Sequence, residues 1–191
     1  MHCMAGLDHL TSGSVFLGET ELGGLSDDEL TRLRRDRIGF IFQAFNLIPT
    51  LTARENIVLP ARIANDDIDD PWFEQVIGIL DLADRLNHRP TELSGGQQQR
   101  TAAARALVRR PEIIFADEPT GNLDSNSAHE LLGFLRRAVD EFEQTIVMVT
   151  HDPAAAAYSD RVVFLRDGSP VEELLSPTVD TILETVKSLE R

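Results

Sequence analysis

Apolar positions along this chain alternate between two periods. Short unbroken runs at residues 14–18 (SVFLG), 38–42 (IGFIF), 113–116 (IIFA), 145–150 (TIVMVT) and 161–165 (RVVFL) predict strands. The stretches between them repeat at helical spacing and carry start signals. Ser26 with Glu29 and Thr52 with Glu55 form capping boxes. Asp70 and Pro71 predict an N-cap with proline at the first helical position, followed by Phe73, Val76, Ile77 and Leu80 on one face. Ser94-Gly95-Gly96 opens an Ala/Arg-rich helix that is expected to carry Arg109 and Arg110 in its last turn, before Pro111. Ser127 and Glu130 predict the cap of a helix whose inner face is Ala128, Leu131, Leu132, Leu135, Ala138, Val139 and Phe142. Asp152-Pro153 starts another, Asp167-Gly168 marks a turn, and Val179, Ile182, Leu183, Val186 and Leu189 form a final amphipathic helix. The first residues read as the end of a helix running into a turn between Gly6 and Gly13.

Strands alternating with helices predict an α/β fold with a mostly parallel sheet. Residues 46–110 contain no strand signal and read as a helical subdomain inserted into an α/β core made of 1–45 and 111–191. The apolar loop at 45–51 (FNLIPTL) packs within the domain or offers a docking groove.

Composition narrows the class. The chain has 191 residues, enough for one domain with a sizeable core. A formal net charge of −14 argues against a broad nucleic-acid surface. One cysteine, Cys3, permits no internal disulfide and fits a reducing compartment. No apolar run reaches the roughly 18 residues of a membrane span. The cations are almost all arginine; Lys187 is the only lysine and sits in the last helix.

The chemistry gathers in residues 93–124. The Ser94-Gly95-Gly96 turn lets the backbone approach an anion, and the helix behind it aims free N–H groups at the same place. The 113–116 strand ends in Asp117 and Glu118, and strands of a parallel sheet deliver their C-terminal side chains to a crevice. One carboxylate there can hold Mg²⁺ while its neighbour orients a water. Gln43, just past a strand, can ligate a metal or hold a water through its amide. His151 follows a strand in the same way, so it is expected to face the same crevice. His88 and His129 read as surface histidines.

In combination, LSGGQ at 93–97, IIFADEP at 113–119 and GNLD at 121–124 resemble the ATP-binding subunit of ABC transporters. They correspond to its signature motif, Walker B strand and D-loop, with Gln43 and His151 at the Q-loop and H-loop positions. The resemblance implies a P-loop NTPase-like fold and a transport-coupled ATPase that works as a homo- or heterodimer on ATP and Mg²⁺, without nucleic acid. It implies a cytoplasmic subunit held at the inner face of the membrane by a separate permease.

The implied roles follow residue by residue. Asp117 and Gln43 support Mg²⁺; Glu118 polarises the attacking water; His151 holds its geometry. Ser94, Gly95, Gly96 and Gln97 bind the nucleotide of the partner subunit, and Asp124 communicates between the two sites. FQAFNLIPTLTARENI with ADEPTGNLDS is most similar to the branch that exports lipoproteins or macrolides or acts in cell division.

One departure stands out. No G-x-x-x-x-G-K-[ST] loop occurs in the chain, which reads as beginning just after the Walker A segment, within its helix. The expectation is an N-terminally incomplete record of a working ATPase, its missing strand lying at the centre of the sheet beside 113–116. Losing three or more charge-assisted hydrogen bonds costs at least about 5 kcal/mol, enough to turn a micromolar site into a millimolar one or worse. That makes ATPase activity of the chain alone an open expectation. The alternative is a non-catalytic truncated partner that supplies only its signature motif to a full-length ATPase.

Overall fold

The computed structural model describes residues 1–189. Its elements are β1 (Phe16–Leu17), β2 (Thr20–Glu21), α1 (Asp27–Arg37), β3 (Ile38–Phe42), α2 (Ala53–Ala64), α3 (Asp70–Ile79), α4 (Gly95–Leu107), β4 (Ile113–Asp117), α5 (Ser125–Phe142), β5 (Thr145–Val149), α6 (Pro153–Ala156), β6 (Arg161–Arg166), β7 (Ser169–Leu175) and α7 (Val179–Leu189).

The centre is a parallel sheet in the order β3-β4-β5. Its register sets Phe42 beside Asp117 and Asp117 beside Val149. All three strands therefore end at one level, and the residues that follow them, Gln43, Glu118 and Thr150, leave from one edge. Two cores cover the two faces. One joins Ile41, Ile114 and Ala116 to α2, α3, α4 and α5 through Ile57, Phe73, Leu107 and Leu131. The other joins Ile38 and Phe115 to α1 through Leu30 and Leu33, with Ala5 and Leu22.

Helix α4 lies unusually close to β3. A Cβ on Gly39 would stand 2.9 Å from the Ala106 carbonyl oxygen, 3.0 Å from Ile114 and 3.2 Å from Pro111. Only a glycine lets the helix that carries the Ser94–Gln97 turn settle onto the strand that leads to Gln43.

The two predicted capping boxes at Ser26 and Thr52 are present. Elsewhere the local chemistry differs from expectation. Helix α3 is capped by Asp69, which accepts from the Trp72 N–H, so Asp70 is the first helical residue. Helix α5 is capped by Asp124 instead of Ser127. Helix α4 stops at Leu107, and Arg109 and Arg110 lie beyond it. Their charges are used sideways: Arg109 pairs with Asp36 and Asp66, and Arg110 pairs with Asp69 at 2.9 Å and covers the Trp72 ring at 4.7 Å. The N-terminal residues form a single helix-like turn, with Ala5 N–H donating to the Met1 carbonyl, and no helix.

The sheet corrects two further expectations. β4 is paired on both sides, so no place for another strand remains beside it. The free edges belong to β3 and β5, and β5, whose apolar run reads as a buried strand, is half-buried, with Val149 42% exposed. β7 had no strand signal because Pro170 and exposed Glu172 and Glu173 break its apolar run; it pairs with β6 as an antiparallel hairpin turning at Asp167-Gly168.

Candidate functional site

The site is built where β4 ends. Asp117 is the last strand residue, and Glu118 turns out of the sheet with φ of +44°, a backbone region that non-glycine residues rarely occupy. Two hydrogen bonds hold that turn: Glu118 N–H donates to the Val149 carbonyl at 2.9 Å, and Gly121 N–H donates to the Glu118 carbonyl at 3.0 Å. The strained residue thereby aims its side chain along the sheet toward the end of β5.

There it meets His151. Glu118 Oε1 accepts from the His151 backbone N–H at 3.1 Å and lies 2.7 Å from Nδ1; Oε2 accepts from the Thr150 hydroxyl at 3.3 Å. The carboxylate is mostly covered, at 23% exposure, whereas the imidazole is 88% exposed. The Glu118 hydrogen bond and charge raise the His151 pKa above its ordinary value. With Nδ1 committed to Glu118, Nε2 points its chemistry outward. Glu118 keeps Oε2, with one long hydrogen bond, free to take a proton or orient a water.

The Asp117 carboxylate makes no hydrogen bond or ion pair among the described residues, so its hard oxygens are uncommitted beside the engaged Glu118. Mg²⁺ commonly takes one or two protein carboxylates and fills its remaining positions from water and phosphate; the free Asp117 carboxylate fits that need.

Gln43 leaves β3 at the same edge but is not turned to Glu118. Its Nε2 donates to Asn122 Oδ1 at 3.4 Å, and Asn122 Nδ2 donates back to the Gln43 carbonyl at 2.9 Å. The amide nitrogen lies 2.6 Å from where a Cβ on Gly121 would stand, too close for one to be accommodated. Glu118 and His151 are thus joined, while Gln43 is held one strand across, against the 119–124 turn.

The Ser94–Gln97 turn is a complete capping box: Gln97 N–H donates to Ser94 Oγ at 3.2 Å, and Ser94 N–H donates to Gln97 Oε1 at 3.0 Å. This engages the side-chain oxygens of both residues. What remains at the end of α4 is a set of donors: the Ser94 hydroxyl hydrogen, the first-turn N–H groups of Gly95 and Gly96, and the Gln97 amide. Such a set, at the positive end of a 13-residue helix, suits an anion. The glycines have a second reason. A Cβ on Gly96 would meet Ser127 Oγ at 2.9 Å, and Gly95 packs near Leu123 and Phe45. Asp124 closes the contact: it accepts from the N–H groups of Asn126 and Ser127 at 3.1 Å and from the Ser127 hydroxyl at 2.8 Å, which hold its carboxyl below the usual range.

Reading the sequence alone missed Gln99, Arg105 and Asn122. Arg105 donates to the carbonyls of Asn46 at 2.6 Å and Phe45 at 3.1 Å, holding the start of the apolar 45–51 loop; burial lowers its pKa. It borders a cavity of about 320 Å³ between β3, α2 and α4, with Phe42, Leu59 and Pro60 in its walls. Of the two histidines read as surface residues, His129 is exposed and bonded to the Tyr158 hydroxyl at 2.5 Å, but His88 is half-buried, its Nδ1 without a partner. No helix among the described residues is long and apolar enough to cross a membrane.

Comparison with known proteins places this geometry. The family model for ABC transporters matches residues 1–121. The chain is 45% identical over 179 residues to the bacitracin export ATP-binding protein BceA of Halalkalibacterium halodurans, covering 91% of this chain and 70% of that protein. It is 46% identical over 174 residues to the macrolide export ATP-binding/permease protein MacB of Campylobacter jejuni, covering 90% of this chain but only 26% of that longer protein. Among solved structures, the dimeric ABC transporter cassette MJ0796 superposes with a TM-score of 0.80 at 40% identity, covering 92% of this chain and 78% of that one. A dimeric post-hydrolysis state of the same cassette, bound to ADP and Pi, gives a TM-score of 0.79.

Proposed function

The chain belongs to the ABC transporter family as an ATP-binding subunit, and from that premise we propose how its residues divide the work of hydrolysing ATP. One observation carries the proposal: the Glu118 carboxylate, forced out of the sheet by a left-handed backbone, is gripped by His151 and Thr150 next to an uncommitted Asp117.

Phosphoryl transfer depends on placing a water in line with the terminal phosphate and on stabilising spread charge. Glu118 Oε2 orients that water and accepts its hydrogen bond; general-base assistance of this kind contributes about 10²–10⁴-fold. His151, its ring fixed by Nδ1, presents Nε2 to the phosphate oxygens. Asp117 supplies a ligand for Mg²⁺, with the Gln43 amide oxygen as a second once the Asn122 clasp opens; the ion neutralises phosphate charge when bound. Residues 1–45 with 111–191 act as the core that carries these strand ends, and 46–110 as the arm that carries the donor turn.

The donors of Ser94, Gly95, Gly96 and Gln97 act on a second subunit's nucleotide. The reading places two such chains, or this chain and a related one, head to tail, with Asp124 at the junction. It places an integral membrane permease against the apolar 45–51 loop and the cavity beside Arg105, holding the subunit at the inner face of the membrane. The named relatives in bacitracin and macrolide export support an export role.

The trans contact is tested by mixing the protein with a full-length ATP-binding subunit of the family in Mg²⁺-ATP and measuring assembly by size exclusion with light scattering. A nucleotide-dependent mixed dimer is expected, lost in Ser94→Arg. A mixed dimer that forms equally without nucleotide, or that survives Ser94→Arg unchanged, overturns the assignment of the turn.

A further inference from the structure

Gln99 stands on the second turn of α4 and is fully buried. Its Nε2 donates to two main-chain carbonyls, Phe42 at 2.9 Å and Pro119 at 2.7 Å. Both partners are pure acceptors, so the nitrogen end of the amide must be the one that faces them. Its Oε1 is buried without a donor.

The identity of those two carbonyls matters. Phe42 immediately precedes Gln43, and Pro119 immediately follows Glu118. Beyond Phe42 and Asp117 the β3–β4 ladder has ended, so neither carbonyl can be satisfied by a neighbouring strand. One side chain from α4 therefore ties together the backbones that leave the sheet toward the two candidate site residues. The next carbonyl along, that of Gln43, is tied by Asn122 from the same 119–124 turn.

Gln99 satisfies two carbonyls that an apolar side chain would leave unpaired, and it does so at the cost of burying its own Oε1 without a donor. The arrangement does give a rigid connection. Gln99 is five residues beyond Ser94 on one helix, and Gly39 removes the Cβ that would hold that helix off β3. Any displacement of the donor turn is carried along the helix to both loops.

We propose that Gln99 is a positioning residue that makes Gln43 and Glu118 move as one unit with the Ser94–Gln97 turn, so that docking of the turn on an anion resets the hydrolytic side chains. The mechanical link stands on the contacts above; its consequence for hydrolysis rests on the function proposed for Glu118.

The test is Gln99→Met, which keeps length and volume and removes the donors, with Gln99→Glu as a second variant that keeps the shape but sets a carboxyl against the carbonyls. The first readout is amide hydrogen exchange without nucleotide. Gly121 and Leu123, whose N–H groups close the turn after Glu118, and the C-terminal ends of β3 and β4 are expected to exchange about tenfold faster or more, while α3 and the β6–β7 hairpin stay unchanged. The second readout is Mg²⁺-ATP turnover at millimolar ATP: kcat falls about tenfold or more with KM within about twofold. Uniform acceleration of exchange across the chain, or no change at Gly121 and Leu123, overturns the proposal. If Gln99→Met does not fold, the same two readouts on Gln99→Glu decide. Faster local exchange with unaltered kcat keeps the tie but removes its role in hydrolysis, and where the unmodified protein shows no turnover the exchange readout alone decides the tie.

Discussion

Replacing Gly39 with alanine tests how the donor turn is seated. A Cβ at that position would stand 2.9 Å from the Ala106 carbonyl oxygen, a backbone atom that cannot swing away, and would also press on Ile114 and Pro111. Either α4 rises off β3 or the strand shifts. Overpacking of this kind costs about 1–3 kcal/mol. For a chain of this length each kcal/mol is worth roughly 2–4 °C in Tm, so the expected loss is about 2–12 °C. Gly78 and Gly133 are the controls. Both lie within helices, and a Cβ at either meets nothing within 4 Å. Alanine there relieves glycine's backbone entropy and should stabilise by about 0.5–1 kcal/mol. Thermal and urea unfolding followed by far-UV circular dichroism separate the cases. Gly39→Ala as stable as the unmodified protein, or Gly78→Ala and Gly133→Ala both destabilised, would refute the reasoning that close helix–strand contact requires the glycine.

Two other predictions concern single side chains. Trp72 Nε1 donates to the Leu107 carbonyl at 3.2 Å while the ring packs edge-on against Phe142 at 4.5 Å; Trp72→Phe should cost about 1–2 kcal/mol by urea unfolding, about half from the hydrogen bond and half from lost volume, and no change would dispute the contact. The His151 pKa is raised by Glu118, so the pair's contribution to stability is fully present below the ordinary histidine pKa near 6.5 and is lost as pH rises through the higher folded value. Histidine titration by NMR should place the His151 midpoint above 6.5 and bring it back toward that value in Glu118→Gln; a midpoint unmoved by the substitution would contradict the pairing.

Much of this fold could be read from the chain because its signals are local. The strands at Ile38–Phe42 and Thr145–Val149 are contiguous apolar runs, and Ser26–Glu29 and Thr52–Glu55 are capping boxes whose partners lie three residues apart. The misreadings arose where a choice depended on a distant partner. Asp69 and Asp70 are equivalent as caps in sequence, and only the Trp72 N–H distinguishes them. Arg109 and Arg110 suit a helix terminus by composition, yet Asp36, Asp66 and Asp69 draw them elsewhere. That β4 is the central strand, paired on both sides, depends on pairing order, which no single run of residues encodes.

The same division holds at the candidate site. Glu118 and His151 were legible as residues placed just past strands, and parallel register does bring those two together. The turn of Gln43 toward Asn122 was not legible, because it depends on Gly121 lacking a Cβ. Gln99 was hidden for another reason. In sequence it is one of three consecutive glutamines in a polar helix start, and only its burial against Phe42 and Pro119 sets it apart.

The central claim is that Glu118 orients the water that attacks ATP. Its most direct test is Mg²⁺-dependent turnover at millimolar ATP, where even a weak site fills, compared between the unmodified protein and Glu118→Gln with ATP binding measured in parallel. The account predicts turnover that falls about a hundredfold or more in Glu118→Gln while ATP binding is kept. Equal turnover in the two proteins would contradict it.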